Sequence, residues 1–290
     1  MISCKKSCRS GPRVPRLPTT RRQPPRQFQV VHGEVSNPIE CLAICLLSLM
    51  KHSHASPDIL LLDNPIWHAL STEQRHLSQG DNLAKRFPKG VAPFGALINQ
   101  SPASYEALKE IFPDEVAALF LDAKPVLPPN WALVHGGQIY QMVCETPLPG
   151  NEHQVFRELT EADVPEMLAL TKLTEPGPFL SRTIELGSYL GIHDSGSLVA
   201  MAGERLHLTG FTEVSAVCTH PEFRGRGYGN ALLSVLISRI VKRGETPILH
   251  VRAENVAAVR LYEKLGFNVR TRLHLAVVKY GAASHHGDGE

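Results

Sequence analysis

No run of apolar residues in this 290-residue chain approaches the ~20 that a membrane-spanning helix requires. The nearest, Ile39–Met50, stops at about twelve residues and contains Glu40, and its flanks do not suit a secretory leader. Six cysteines are too few for a disulfide scaffold. Cys4/Cys8 and Cys41/Cys45 lack both the C-x2-C spacing and the close histidine of a zinc site, so no metal is expected. Reduced thiols in a cytoplasmic chain are the expectation. The first 32 residues lack any acid and hold eight bases, yet they also lack the interleaved aromatics of a nucleic-acid stacking platform. No nucleic-acid or membrane partner is expected. The net charge of +2 therefore describes a basic tail on a mildly acidic body.

What is present reads as a disordered basic tail or start-site extension (1–50), an N-terminal α/β segment (59–150) and a second α/β unit (154–281). In the first segment, Asn64-Pro65 opens a helix and Ser104–Phe112 forms another. Val116–Leu121 is a strand, and Gly136-Gly137 is expected to turn a hairpin between Trp131–His135 and Gln138–Cys144. His68, His76 and His135 are scattered and assemble into no catalytic set. In the second unit, Thr160 caps a helix from Glu161 to about Leu173, with Asp163 at its third position. Another helix is expected around Phe179–Leu186. Strands follow at Tyr189–His193, Leu198–Leu208 and Thr212–Thr219, and a final strand pair closes the chain.

The most informative run follows the strand that ends at His220-Pro221. Glycines stand at 225, 227 and 229, and a helix then begins with Leu233, Leu236, Ile237, Ile240 and Val241 on one face. Gly244 closes it. Strand, glycine-rich turn and helix N-terminus together make an anion cradle, because unpaired N–H groups and the helix dipole face a backbone that oxygen atoms can approach. Arg224 and Arg226 add charge, so the ligand should carry phosphate. A Walker loop would end in Gly-Lys-Ser/Thr, and this one ends in Gly-Tyr-Gly. A dinucleotide fold would place its loop early, and too little chain remains here to complete one.

Arg224-x-x-Gly227-x-Gly229 resembles the pyrophosphate loop of the GNAT family of N-acetyltransferases. The run from Asn255 through Ala258 and Tyr262 to Gly266-Phe267 is similar to that family's late helix. The resemblance covers about 125 residues and is closest to the FR47-like group. It implies a mixed, mostly antiparallel α/β sheet flanked by helices, with residues 59–150 as a degenerate GNAT-like half. It also implies acetyl-CoA or a longer acyl-CoA as co-substrate and a primary amine of a small molecule or amino acid as acceptor. A protein or peptide acceptor, a silent acetyl-CoA-binding module and a homodimer stay open.

By this resemblance the cofactor contacts fall on Val217, Cys218, Thr219, Arg224, Gly225, Arg226, Gly227, Tyr228, Gly229, Asn230 and Asn255. The backbone N–H of Val217 would face the thioester oxygen, while the Cys218 side chain would do nothing. Tyr262 would protonate the leaving thiolate, since a phenol's pKa lies near a thiol's. Glu213 would be the general base, its pKa raised on an apolar strand, with His220 as the other candidate. Substrate choice is expected in Thr171–Ser188, where a flat acidic groove would suit a peptide and a closed pocket a metabolite.

Overall fold

The computed structural model describes residues 58–148 and 155–281. The basic tail and the cysteines at 4, 8, 41 and 45 lie outside them. A five-residue helix α1 (Pro65–Ala69) leads into three short strands, β1 (Gln79–Gly80), β2 (Ala84–Arg86) and β3 (Gly95–Leu97), which form a small antiparallel sheet. Helix α2 (Pro102–Ile111) starts where Ser101 accepts from the Ser104 N–H and proline occupies the first turn.

Everything that follows builds one eight-stranded sheet. In chain order its strands are β4 (Val116–Leu121), β5 (Trp131–Val143), β6 (Arg157–Glu158), β7 (Tyr189–Asp194), β8 (Ser197–Leu208), β9 (Phe211–Thr219), β10 (Thr246–Arg252) and β11 (Asn268–Tyr280). Across the sheet the order is β4-β11-β5-β10-β9-β8-β7-β6. Only β9 and β10 run parallel; the other neighbours are antiparallel. β4 and β5 precede the expected boundary near residue 150 and yet lie inside the same sheet as the later strands.

Two expectations fail here for one reason. Gly136 and Gly137 do not turn a hairpin: neither has a positive φ, and both stay in a single thirteen-residue strand, β5. β11 runs alongside it from Asn268↔Val143 to Tyr280↔Trp131, pairing Gly136 with Ala276 and Gly137 with Leu275. The final strand pair is likewise one long strand. A continuous partner ladder outweighs the turn preference of two adjacent glycines.

Three helices complete the described residues: α3 (Val164–Thr174), α4 (Tyr228–Lys242) and α5 (Val256–Glu263). Thr160 and Asp163 form the expected capping box, but it heads a 3₁₀ turn (Glu161–Asp163) that precedes α3. The helix expected at Phe179–Leu186 shrinks to a 3₁₀ turn at Thr183–Leu186.

Alternation along the strands assigns their faces. Leu232, Leu233, Leu236, Ile237 and Ile240 of α4 pack with Val199, Ala202, Val214, Leu249 and Val251 on one face. Val241 is exposed instead, one step round from that stripe. On the opposite face Ile248, Leu206, Phe211, Ile139 and Leu273 pack against Leu62, Ile66, Phe87, Phe94 and Phe120. The N-terminal segment thus covers the face away from α4. No helix among the described residues is long and apolar enough to cross a membrane.

Candidate active site

β9 and β10 are paired only over Thr246↔Phe211, Pro247↔Thr212 and Ile248↔Glu213. Beyond that point they part, and each continues without the other, β9 to Thr219 and β10 to Arg252. β9 is also bulged. Between Met201↔Cys218 and Gly203↔Ser215 it carries one residue more than β8, and Ala216 in this stretch has φ +52°. A non-glycine residue in the left-handed region marks backbone held against its preference, a feature common at functional sites. The bulge sits immediately before Val217, which lines the opening.

The glycine loop lies at the mouth of this split. Gly225 and Gly227 have φ +78° and +81°, and a Cβ on either would meet nothing within 4 Å, so the space in front of the loop is open. Gly227 is the N-cap of α4, and the first helical bond runs from the Ala231 N–H to the Gly227 carbonyl at 3.0 Å. The N–H groups of Tyr228 and Gly229 precede any intrahelical acceptor. Arg224 lines the same cleft, while Arg226 stacks 4.6 Å over Phe223. A cradle of this kind fits a pyrophosphate.

A cleft of about 250 Å³ is bordered by Thr174, Val217, Cys218, Thr219, Arg224, Gly229, Ala258, Leu261 and Tyr262. A larger cavity of about 520 Å³ shares Thr174, Val217, Ala258 and Tyr262 with it and continues to Phe94, Phe120, Ile139, Arg205, His250 and Arg252. The opening between β9 and β10 is therefore a passage joining the two faces of the sheet. Of the expected specificity segment, Thr174 to Pro178 borders the larger cavity.

Tyr262 stands at the junction. Burial pushes its phenol up to about 12, and its hydroxyl has no hydrogen-bond partner among the described residues. Asn255 borders the larger cavity, but its Oδ1 accepts from the Ala258 N–H at 3.2 Å and caps α5. Cys218 is buried and its thiol is pushed up to about 11 by desolvation, which keeps it an unreactive thiol. His220 accepts from the Glu222 N–H and caps the turn before the loop.

Glu213 departs from expectation. Its carboxylate is fully buried and tied to two partners. Arg205 grips it side-on, Nε to Oε2 at 2.8 Å and Nη2 to Oε1 at 2.5 Å, and His250 Nδ1 lies 2.7 Å from Oε1. Burial alone would raise its pKa, but the charge of Arg205 and the bond from His250 outweigh it and hold the group at about 2. A carboxylate with so little affinity for a proton, and no access to solvent, is a poor base. Arg205, His250, Arg252 and the aromatic pair Phe94–Phe120 were missed from sequence. For His250 and Arg252 the signal is that Ile248, His250 and Arg252 alternate along β10 and so share a face; Arg205 and the aromatic pair carry none.

Comparison with known proteins agrees with this geometry. The family model for the FR47-like protein matches residues 189–275. Over 111 residues the chain is 32% identical to the mycothiol acetyltransferase of Mycobacteroides abscessus, covering 38% of this chain and 35% of that one. Over 56 residues it is 46% identical to the ribosomal protein bS18-alanine N-acetyltransferase of Escherichia coli K12, covering 19% of this chain and 38% of that one. The chain thus matches little more than a third of the length of these curated relatives. A GCN5-related N-acetyltransferase from Kribbella flavida shares the fold at 16% identity, with a TM-score of 0.52 over 73% of this chain and 95% of its own. The match to a GNAT-family structure from Novosphingobium aromaticivorans DSM 12444 is stronger in sequence and in fold, at 34% identity and a TM-score of 0.71 over 76% of this chain and 99% of that one. With the glycine cradle, the parted strands and a match over 99% of that structure's chain in agreement, the chain belongs to the GNAT family of acetyltransferases.

Proposed function

We propose that this protein transfers an acetyl or longer acyl group from acyl-CoA to the primary amine of a small molecule or amino acid by direct attack. The observation that carries the reading is the passage between β9 and β10, which joins the glycine cradle and Tyr262 on one side to a larger, partly open cavity on the other. Bound acyl-CoA supplies the activated thioester carbon. N–H groups at the start of α4 and the side chain of Arg224 are placed to hold its phosphates. The bulged peptide before Val217 offers a backbone N–H to the thioester oxygen, a contribution of about 3 kcal/mol once the bound co-substrate shields it from water. As the amine nitrogen bonds to the carbonyl carbon, the C–S bond breaks. The amine gives up one proton to solvent, the departing sulfur gains one from Tyr262, and solvent returns a proton to the phenolate.

Glu213 holds Arg205 and His250 in place and takes no proton. The N-terminal segment, through Phe94, Phe120 and Ile139, serves as a wall of the acceptor cavity. A peptide acceptor draws support from the local likeness to the bS18-alanine enzyme. The acceptor side here is a cavity whose only bordering carboxylate is Glu175, however, and such a shape suits a metabolite better than an acidic groove for a chain.

Calorimetric titration with acetyl-CoA, on wild type and on Gly227→Glu, tests the cofactor site. Saturable binding that the variant loses supports it, and release of CoA with a panel of amines then reports transfer. A folded wild type that binds neither acetyl-CoA nor longer acyl-CoAs would sink the reading.

A further inference from the structure

Arg205 projects from β8 into the wall of the larger cavity with 9% of its side chain exposed. Its guanidinium lies 4.8 Å over the Phe94 ring and spends Nε and Nη2 on Glu213. Nη1, with two N–H groups, has no partner among the described residues and is the end of the fork left for the cavity. Unpaired donors on a nearly buried cation are costly, and an oxygen acceptor brought by an occupant would relieve that cost.

The rest of the lining narrows what the occupant is. Phe94 and Phe120 meet edge to face at 5.4 Å, and with Ala118, Ile139, Leu275 and Val277 they form an apolar wall. Two arginines, Arg205 and Arg252, border the cavity against a single carboxylate, Glu175. Glu175 is exposed at the left-handed C-cap of α3. A polyamine or aminoglycoside would need acidic groups for its further cations, and the interior offers none. Glu213 pairs with Arg205, and the carboxylate that Arg252 meets is the exposed Glu254, 3.6 Å away and outside the lining. What the lining leaves unmet is the donor end of Arg205, and a carboxylate on the occupant suits it.

We propose that the acceptor is an amine carrying one carboxylate and an apolar side chain, as in phenylalanine or leucine. Its carboxylate bonds to Arg205 Nη1 and faces Arg252, and its side chain lies against Phe94 and Phe120. The inference rests on the transferase reading above and names the substrate class of that same cavity.

The test uses the full chain with saturating acetyl-CoA and follows CoA release with phenylalanine, phenylalaninamide, phenethylamine and spermidine. Phenylalanine is expected to exceed phenethylamine at least tenfold in kcat/KM, the scale of a hydrogen bond to a charged group. Spermidine should be poorest. Arg252→Gln should lower kcat/KM for phenylalanine at least five times more than for phenethylamine. Arg205→Lys, which keeps the charge facing Glu213 but removes the fork, should show the same selective loss. Equal rates for phenylalanine and phenethylamine, or a preference for spermidine, would overturn the acceptor class while leaving the transferase reading intact. Binding of acetyl-CoA with no CoA release for any amine would overturn both.

Discussion

The ring of His250 and the carboxylate of Glu213 are 2.7 Å apart across the point where β9 and β10 separate. They are the middle of a longer chain. Asp63 accepts from Arg270 at 2.5 Å, and Arg270 donates to the Gln141 amide oxygen at 2.8 Å. The Gln141 amide nitrogen donates to the Leu62 carbonyl and lies 3.1 Å from His250 Nε2. Because that nitrogen is a donor, His250 Nε2 accepts and Nδ1 donates to Glu213, which Arg205 then closes. Arg270, Gln141, His250, Glu213 and Arg205 come from β11, β5, β10, β9 and β8, five neighbouring strands. The chain pins the sheet at the point where β9 and β10 part.

Glu213→Gln should expose how much this chain depends on its charge. Losing it leaves Arg205 buried without a counter-ion, which costs about 3–5 kcal/mol in urea unfolding. The folded pKa of Glu213, about 2, lies below its ordinary 4.5. Its contribution is therefore complete above about pH 4.5 and fades as pH falls toward 2. The variant should lose the acid limb of stability in that window. An unchanged limb would mean that other carboxylates set it.

Tyr262→Phe separates chemistry from packing. The phenol, raised to about 12 by burial, stays protonated throughout ordinary assay conditions, although it is a weaker acid than an ordinary phenol and its match to a thiol is poorer. kcat should fall about a hundredfold, within the range of general acid catalysis, while acetyl-CoA affinity holds within about twofold. No alkaline loss of kcat below pH 11 should trace to this residue. A variant with unchanged kcat would reduce Tyr262 to a packing residue.

The cradle was legible because its signal is local. Glycines 225 and 227 need positive φ, and both the loop and the helix that follows are set by neighbours in sequence. Tyr262 and Ala258 were legible for the same reason, as one face of a short helix. Glu213 was misjudged because its surroundings come from Arg205 and His250, eight and thirty-seven residues away on adjacent strands. An apolar strand predicts a raised pKa only if no cation shares the burial. β5 was misread because two glycines look the same in a turn and in a strand whose partner lies about 140 residues downstream.

Arg270→Met and Asp63→Ala should differ sharply, although the two residues bond to each other. Asp63 is 55% exposed on its side chain, and its loss should cost less than about 1 kcal/mol. Arg270 also satisfies the amide oxygen of the fully buried Gln141, so its loss should cost about 1–3 kcal/mol more. Equal destabilisation in urea titrations would show that the chain is not held from this end.

Gly266 and Gly225 both have positive φ, at +97° and +78°, yet substitution should affect them unequally. At Gly225 a Cβ meets nothing within 4 Å, so Gly225→Ala loses only the backbone preference, about 1 kcal/mol. At Gly266 the same atom would lie 2.3 Å from the Thr146 carbonyl oxygen and 3.2 Å from the Leu148 nitrogen. Leu148 is itself bonded to the Leu265 carbonyl at 3.1 Å, so that segment cannot withdraw without losing a bond. Backbone conformation and overpacking then add, and Gly266→Ala should cost at least about 3 kcal/mol. Thermal unfolding of the two variants side by side measures the difference. Similar losses would show that the chain at Thr146 yields freely, and that conformation alone accounts for the glycine between α5 and β11.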